Sequence, residues 1–112
     1  MDCIFCKIIN KEIPAKILYE DEDTLAFYDI SPKAPTHFLV IPKLHISSLD
    51  FINNENSFAV SKVFEVIAKL SKELNIENGY RVASNCGANA GQTVEHIHFH
   101  VLAGRELAWP PG

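Results

Sequence analysis

The chain has 112 residues, of which 47% are hydrophobic and 21% charged, with five glycines and six prolines. That is the length of one domain, burying roughly two-thirds of its unfolded surface without disulfide staples, so a single domain over residues 1–112 is expected. Composition excludes disorder, collagen and coiled coil, and no apolar run reaches the roughly 18 residues of a membrane span.

A formal net charge of −4, from 14 acidic against 10 basic residues, argues against a long nucleic acid as partner, because such binding neutralises many phosphates with Lys and Arg. A single small phosphate needs only a few local donors. The start, MDCIFCKIINKEIP, carries neither a charged leader nor a long apolar stretch, so no secretory signal is expected. Together with three cysteines, an odd count, this makes the reducing cytoplasm the expected location.

In chain order, residues 2–9 set Ile4, Phe5, Ile8 and Ile9 at helical spacing behind Asp2, the expected N-cap. Pro14 ends that segment. Lys16–Glu20 and Thr24–Asp29 read as strands around the acidic turn at 21–23, and Thr36–Ile41 as a third strand stopped by Pro42. Residues 57–74 carry Phe58, Val60, Val63, Phe64, Ile67, Leu70 and Leu74 between charged positions, the pattern of one long amphipathic helix. Asn78-Gly79 is the expected stop. Tyr80–Ser84 is the next strand, Asn85–Gly91 (NCGANAG) a glycine-punctuated loop, and Val94–Leu102 the last strand. The expected fold is α+β: an antiparallel five-stranded sheet with one long and one short helix.

Chemistry concentrates in Glu95–Leu102, EHIHFHVL. On a strand, alternate side chains share a face, so His96, His98 and His100 line one side while Ile97, Phe99 and Val101 pack on the other. A slip of one residue would bury the imidazoles, which fixes the register. Two neighbours roughly 6.6 Å apart along a strand can share a zinc, but three in line hardly can. The other use is catalysis, with a central nucleophile or base between hydrogen-bonding partners. Cys3-x-x-Cys6 puts two sulfurs on one helix face, either half a zinc site needing two histidines or two reduced thiols.

Residues 96–102, His-Ile-His-Phe-His-Val-Leu, match at every position the signature of the histidine triad (HIT) proteins. IFCKII, KEIPAKI, LAFYDISPKAPTHFLVIPKLHIS, the GQT of 91–93 and the terminal WPPG resemble the Hint branch of that family, so the resemblance spans essentially the whole chain. It implies a HIT-like fold and hydrolysis of purine nucleoside 5′-phosphoramidates, conjugates of AMP or GMP with an amine, through a nucleotidyl-histidine intermediate. The same resemblance implies that His98 attacks the α-phosphorus and that His100 hydrogen-bonds a phosphate oxygen or the leaving amine. His96 completes the triad, and Thr93 supplies a hydroxyl beside the phosphate. Asn85, Gly91, Gln92 and Thr93 are implied at the phosphate, Asp29 at the ribose hydroxyls, and Ile4, Phe5, Phe27 and Ile30 in an apolar slot around the base. Without the resemblance those four apolar residues read as plain core.

Some members of the family bind structural zinc through positions that correspond to Cys3, Cys6, His45 and His96; others bind none. The chemistry itself requires no cofactor. In this frame His37 stands behind the triad, and Glu95, where aromatic or proline residues are commoner, puts an acid at the mouth of the site. Family members form homodimers in which the sheet continues into the partner. A non-catalytic nucleotide sensor or scaffold that keeps the pocket is the alternative, and turnover abolished by His98→Asn separates the two.

Overall fold

The computed structural model describes residues 3–112. Five strands, β1 (Ile17–Glu20), β2 (Thr24–Tyr28), β3 (Thr36–Pro42), β4 (Tyr80–Ala83) and β5 (Phe99–Ala103), form one antiparallel sheet in the order β1-β2-β3-β5-β4. A short helix α1 (Ile4–Ile9) and a long helix α2 (Ser57–Glu73) complete the α+β fold. Two 3₁₀ turns, Leu49–Phe51 and Ala88–Ala90, were not expected from the sequence pattern. Among the described residues no helix is long and apolar enough to cross a membrane.

Strand parity sorts the side chains into two layers. On one face Ala26, Phe38, Val40, Phe99 and Val101 pack with Ala59, Val63, Val66, Ile67 and Leu70 of α2. On the other, Leu25, Phe27, Leu39 and Ile41 pack beneath Phe5 and Ile8 of α1, with Cys3 at their edge. The β3–β5 register sets Leu39 opposite His100 and Val40 opposite Phe99. The histidines therefore turn toward α1, and the apolar residues between them toward α2, as the alternation predicts.

Three details differ from the sequence expectation. The last strand begins at Phe99 rather than Val94, because residues 94–98 leave the ladder and the Ile97 N–H donates to the Ile46 carbonyl at 2.6 Å. The histidine face is not solvated: His96 is 0% and His98 6% exposed, since α1 lies over them. Burial of an imidazole is tolerated when its ring nitrogens find partners, so the register is fixed by those partners and not by avoidance of burial. Third, the apolar stripe of α2 is buried only in part, with Val63, Ile67 and Leu70 in the core and Val60 and Leu74 packed against it. The helix buries Ala59, Val63, Val66, Ile67, Leu70 and Ser71, leaving Phe58 54% and Phe64 47% exposed.

Both helices stop on a residue in the left-handed region, Lys11 (φ 65°) after α1 and Asn75 (φ 58°) after α2. In α2 the Ile76 N–H reaches the Ser71 carbonyl at 2.9 Å and the Asn75 N–H the Lys72 carbonyl at 3.2 Å, a Schellman closure. Asn75 tolerates that conformation, so the helix ends before Asn78-Gly79 is reached. Asp2, the expected cap of α1, lies outside the described residues. Cys3 occupies the N-cap position, and its Sγ accepts from the Cys6 N–H at 3.3 Å.

Candidate functional site

Hydrogen-bond partners fix the proton positions on the histidines. The Nδ1 of His98 lies 2.7 Å from the His96 carbonyl. A carbonyl only accepts, so Nδ1 carries the proton and the Nε2 of neutral His98 is bare. The backbone N–H of Lys33 donates to His37 Nδ1 at 3.0 Å, which puts the proton of neutral His37 on Nε2. That Nε2 sits 3.0 Å from His100 Nδ1, so His37 donates and neutral His100 keeps its own proton on Nε2. A bare nitrogen on His98 and an N–H donor on His100 thus stand side by side, with ring centroids 5.2 Å apart.

The sheet explains why these rings meet. His37 lies two residues before Leu39, which is paired with His100, so His37 and His100 are diagonal cross-strand neighbours on the α1 face. Burial holds His100 below the usual histidine range, with the neighbouring His98 and His37 adding to the effect and Asp29 opposing it. Burial lowers His37 in the same way, again against Asp29. The Asp29 Oδ2 lies 3.5 Å from His37 Nε2 and 3.9 Å from His100 Nδ1. Asp29, His37 and His100 bring three metal-capable atoms within 4.8 Å of one another. A metal there would need the Nε2 proton of His37, whose Nδ1 already accepts from Lys33. His37 and His100 are instead a hydrogen-bonded pair, with the Asp29 carboxylate beside them.

His98 and His100 face a cavity of about 440 Å³. Ile4, Phe5 and Ile8 of α1 form one wall and Phe27, Asp29 and Ile30 another, while Asn85, Gly91 and Thr93 close the end nearest the histidines. Every residue that the resemblance implied at the nucleotide lines this cavity except Gln92. The Gln92 side chain is instead a strut, accepting from the Gly87 N–H at 2.9 Å and donating to the Ser47 and Val94 carbonyls. Gly87 and Gly91, at φ 88° and 87°, give the loop its two left-handed corners. Ile30 stands at the rim, fully exposed, and Glu95 lines a neighbouring hollow rather than this cavity. Sequence reasoning missed Ile8 and Leu39 in the lining; the helical and strand periods that place them beside Phe5 and Phe27 were the available signal.

His96 does not line the cavity. Its Nε2 donates to the Pro42 carbonyl at 2.8 Å, leaving a bare Nδ1 that points at Cys3 Sγ (3.3 Å), Cys6 Sγ (3.6 Å) and His45 Nδ1 (3.1 Å). Cys6 Sγ lies 3.5 Å from His45 Nδ1. A tetrahedron built on the usual zinc bond lengths has edges of about 3.6 Å between sulfur and nitrogen and about 3.4 Å between nitrogens. The four residues therefore fit a structural zinc, which at two thiolates and two imidazoles is also the right donor chemistry. Burial pushes His96 down to about 4, so its ring is neutral and available. Burial and the adjacent Cys3 push the Cys6 thiol up to about 11, the cost of a thiolate that no cation balances. The Pro42 carbonyl orients the His96 ring as outer partners of metal-binding imidazoles do. The zinc set that the resemblance implied is thus brought together: the ladder breaks before Phe99, and His96 turns to the cysteines while His98 and His100 keep the cavity.

The HIT domain family model matches residues 10–107. A 14 kDa zinc-binding protein from Zea mays is 45% identical over 111 residues, covering 97% of this chain and 87% of that protein. A HIT family hydrolase from Legionella pneumophila Philadelphia 1 superposes with a TM-score of 0.96 at 45% identity, covering 99% of this chain and 100% of the other. A histidine triad nucleotide-binding protein from Candida albicans gives a TM-score of 0.83 at 38% identity, over 97% and 83% of the two chains. The family model spans most of the chain and the likeness in sequence and structure runs over nearly its full length, and the chain belongs to the HIT family.

Proposed function

We propose that this chain, acting as a single HIT domain over residues 1–112, is a purine nucleoside phosphoramidase that cleaves the P–N bond of AMP–amine or GMP–amine conjugates. In this reading His98 Nε2 bonds to the α-phosphorus as the P–N bond breaks. The amine leaves with a proton taken from solvent at the cavity mouth. Water then attacks the nucleotidyl-histidine, releasing the nucleoside monophosphate and restoring neutral His98. His100 Nε2–H stabilises charge on the phosphate oxygen or the departing nitrogen, Thr93 and Asn85 add polar contacts, and Gly91 lets backbone approach the phosphate. Asp29 accepts from the ribose hydroxyls. Its Oδ1 already takes the Ser31 N–H at 2.7 Å, which leaves Oδ2 as the free edge. Phe5, Phe27, Ile4 and Ile30 sandwich the base; an apolar slot separates adenine from guanine poorly.

The observation that carries this reading is the 2.7 Å bond from His98 Nδ1 to the His96 carbonyl, which keeps a nucleophilic lone pair on Nε2. Cys3, Cys6, His45 and His96 would hold zinc, which when bound supplies folding energy and no reacting atom. Three free cysteines suit a reducing compartment such as the cytoplasm. A homodimer is part of the proposal: β4 is an unpaired sheet edge, and the exposed Phe58 and Phe64 of α2 offer apolar surface for a second copy.

The test is turnover of adenosine 5′-phosphoramidate by the wild type and by His98→Asn, with mass spectrometry of the quenched wild type. An AMP adduct on the peptide containing His98, and loss of turnover in the variant with AMP binding retained, are the expected results. Turnover by His98→Asn at the wild-type rate refutes the proposal. AMP binding by a wild type that never turns over leaves the sensor in its place.

A further inference from the structure

We infer that the Cys3–Cys6–His45–His96 cluster, by holding zinc, positions the ligand cavity and the His98 ring, so that metal loading sets the affinity of the neighbouring site. Two connections run from the cluster into the cavity. The first is α1, whose six residues are too few to stay helical alone. Cys3 and Cys6 tie its first turn to the cluster, and between them Ile4 and Phe5, with Ile8 one turn on, form the cavity wall. Phe5 sets its edge against both the His96 ring (centroids 5.9 Å) and the His98 ring (5.1 Å).

The second connection is His96 itself. Its ring belongs to the cluster through Nδ1, and its own carbonyl receives the His98 Nδ1–H. Releasing the His96 ring from the cluster loosens the anchorage of the residue whose carbonyl keeps the lone pair of His98 on Nε2. Cys3, Cys6 and His45 line none of the cavity, so their influence on it passes through α1 and His96; they are positioning residues. A hollow of about 650 Å³ reaches Cys3 and His45 past Ser47 and Gln92, and it shares Ile4, Thr93 and Val94 with the nucleotide cavity.

The affinity part of this inference rests on the nucleotide reading above; the ordering of α1 does not. The experiment compares the full chain loaded with zinc, stripped by a chelator, and reloaded. It reads amide hydrogen exchange at residues 4–9 against α2 and β3, AMP affinity by calorimetry, and the ring ¹⁵N shifts of His98. Stripping is expected to speed exchange at residues 4–9 by about ten-fold or more with α2 and β3 still protected. It should weaken AMP by about ten-fold and turn the single His98 tautomer into a mixture. Reloading reverses all three, and Cys3→Ser/Cys6→Ser behaves as stripped protein even in added zinc. Equal protection of residues 4–9 in both forms overturns the inference, as does a chain that retains no zinc. Global unfolding on stripping overturns it too, because the metal is then a staple for the whole fold. If AMP binds neither form the nucleotide reading fails, and exchange at residues 4–9 alone decides this one.

Discussion

Replacing His37 by Phe isolates the step by which the sheet sets the proton on His100. The imidazole is 5% exposed and lines none of the cavity, and Phe keeps a planar ring there while deleting both of its hydrogen bonds. The Lys33 N–H turns to water, since Lys33 is exposed, so the loss of fold stability is about 1 kcal/mol. The chemical loss is the 3.0 Å donation to His100 Nδ1. Without it the two neutral tautomers of His100 are no longer separated, and a hydrogen bond of about 1–1.5 kcal/mol corresponds to roughly 5- to 13-fold. Complete misdirection of the His100 donor would cost about 100-fold or more, as when an oxyanion donor is removed. The expected result with adenosine 5′-phosphoramidate is therefore a kcat lowered about five- to ten-fold, KM within about two-fold, and unchanged zinc content. His37→Gln, which returns an N–H donor, should recover part of the loss. An unchanged kcat, a loss confined to KM, or no difference between Phe and Gln refutes the reasoning.

Other consequences are measurable in the same protein. His37 and His100 are both lowered by burial, so they are neutral in the fold, and unfolding takes up protons below the ordinary histidine value of about 6.5. Their stabilisation is present above that pH and lost as the pH falls through their folded values. The urea midpoint should therefore fall less with acid in His37→Phe than in wild type. Thr24 Oγ1 is buried without a hydrogen-bond partner among the described residues. Thr24→Val removes the orphan and should gain about 1 kcal/mol, a rise in Tm of roughly 4 °C, whereas a fall would reveal a partner in solution. Gly104 sits at φ 96°, and a Cβ there would lie 2.8 Å from Pro35 Cβ. Gly104→Ala should cost about 2–3 kcal/mol, read as a lowered denaturation midpoint with the turnover of the surviving folded fraction intact.

The layers of the fold were legible because strand parity is local. Phe99 and Val101 against His98 and His100 needed only a period of two, and the β3–β5 register then carried His37 to His100. What the pattern could not show is which surface each layer meets. A helical period marks Phe58 and Phe64 as apolar but does not say how far another element covers them: Phe64 meets Phe99 with ring centroids 5.1 Å apart, and both Phe58 and Phe64 remain about half exposed. Gln92 looked like a phosphate contact because it stands between Gly91 and Thr93, yet its amide is consumed by backbone groups at Gly87, Ser47 and Val94. The separation of His96 from His98 and His100 was legible only through the family resemblance, which set His96 among the zinc ligands. Local spacing does not show it, because it depends on α1 returning across 90 residues to lay Cys6 beside the His96 ring.

The spacing of two nevertheless has a consequence that side-chain parity alone does not reveal. Where the ladder opens before Phe99, the carbonyl of residue 96 no longer serves a neighbouring strand and becomes free to accept from the ring two positions on. The His98 Nδ1–H takes it at 2.7 Å, and the next ring, back inside the strand, takes its partner from β3 instead. The break before Phe99 and the β3 partner after it thus assign opposite proton positions to two identical side chains two residues apart. A bare nitrogen beside a donor is what attack on a phosphate requires. The break in the strand is therefore as much a part of the site as the imidazoles are.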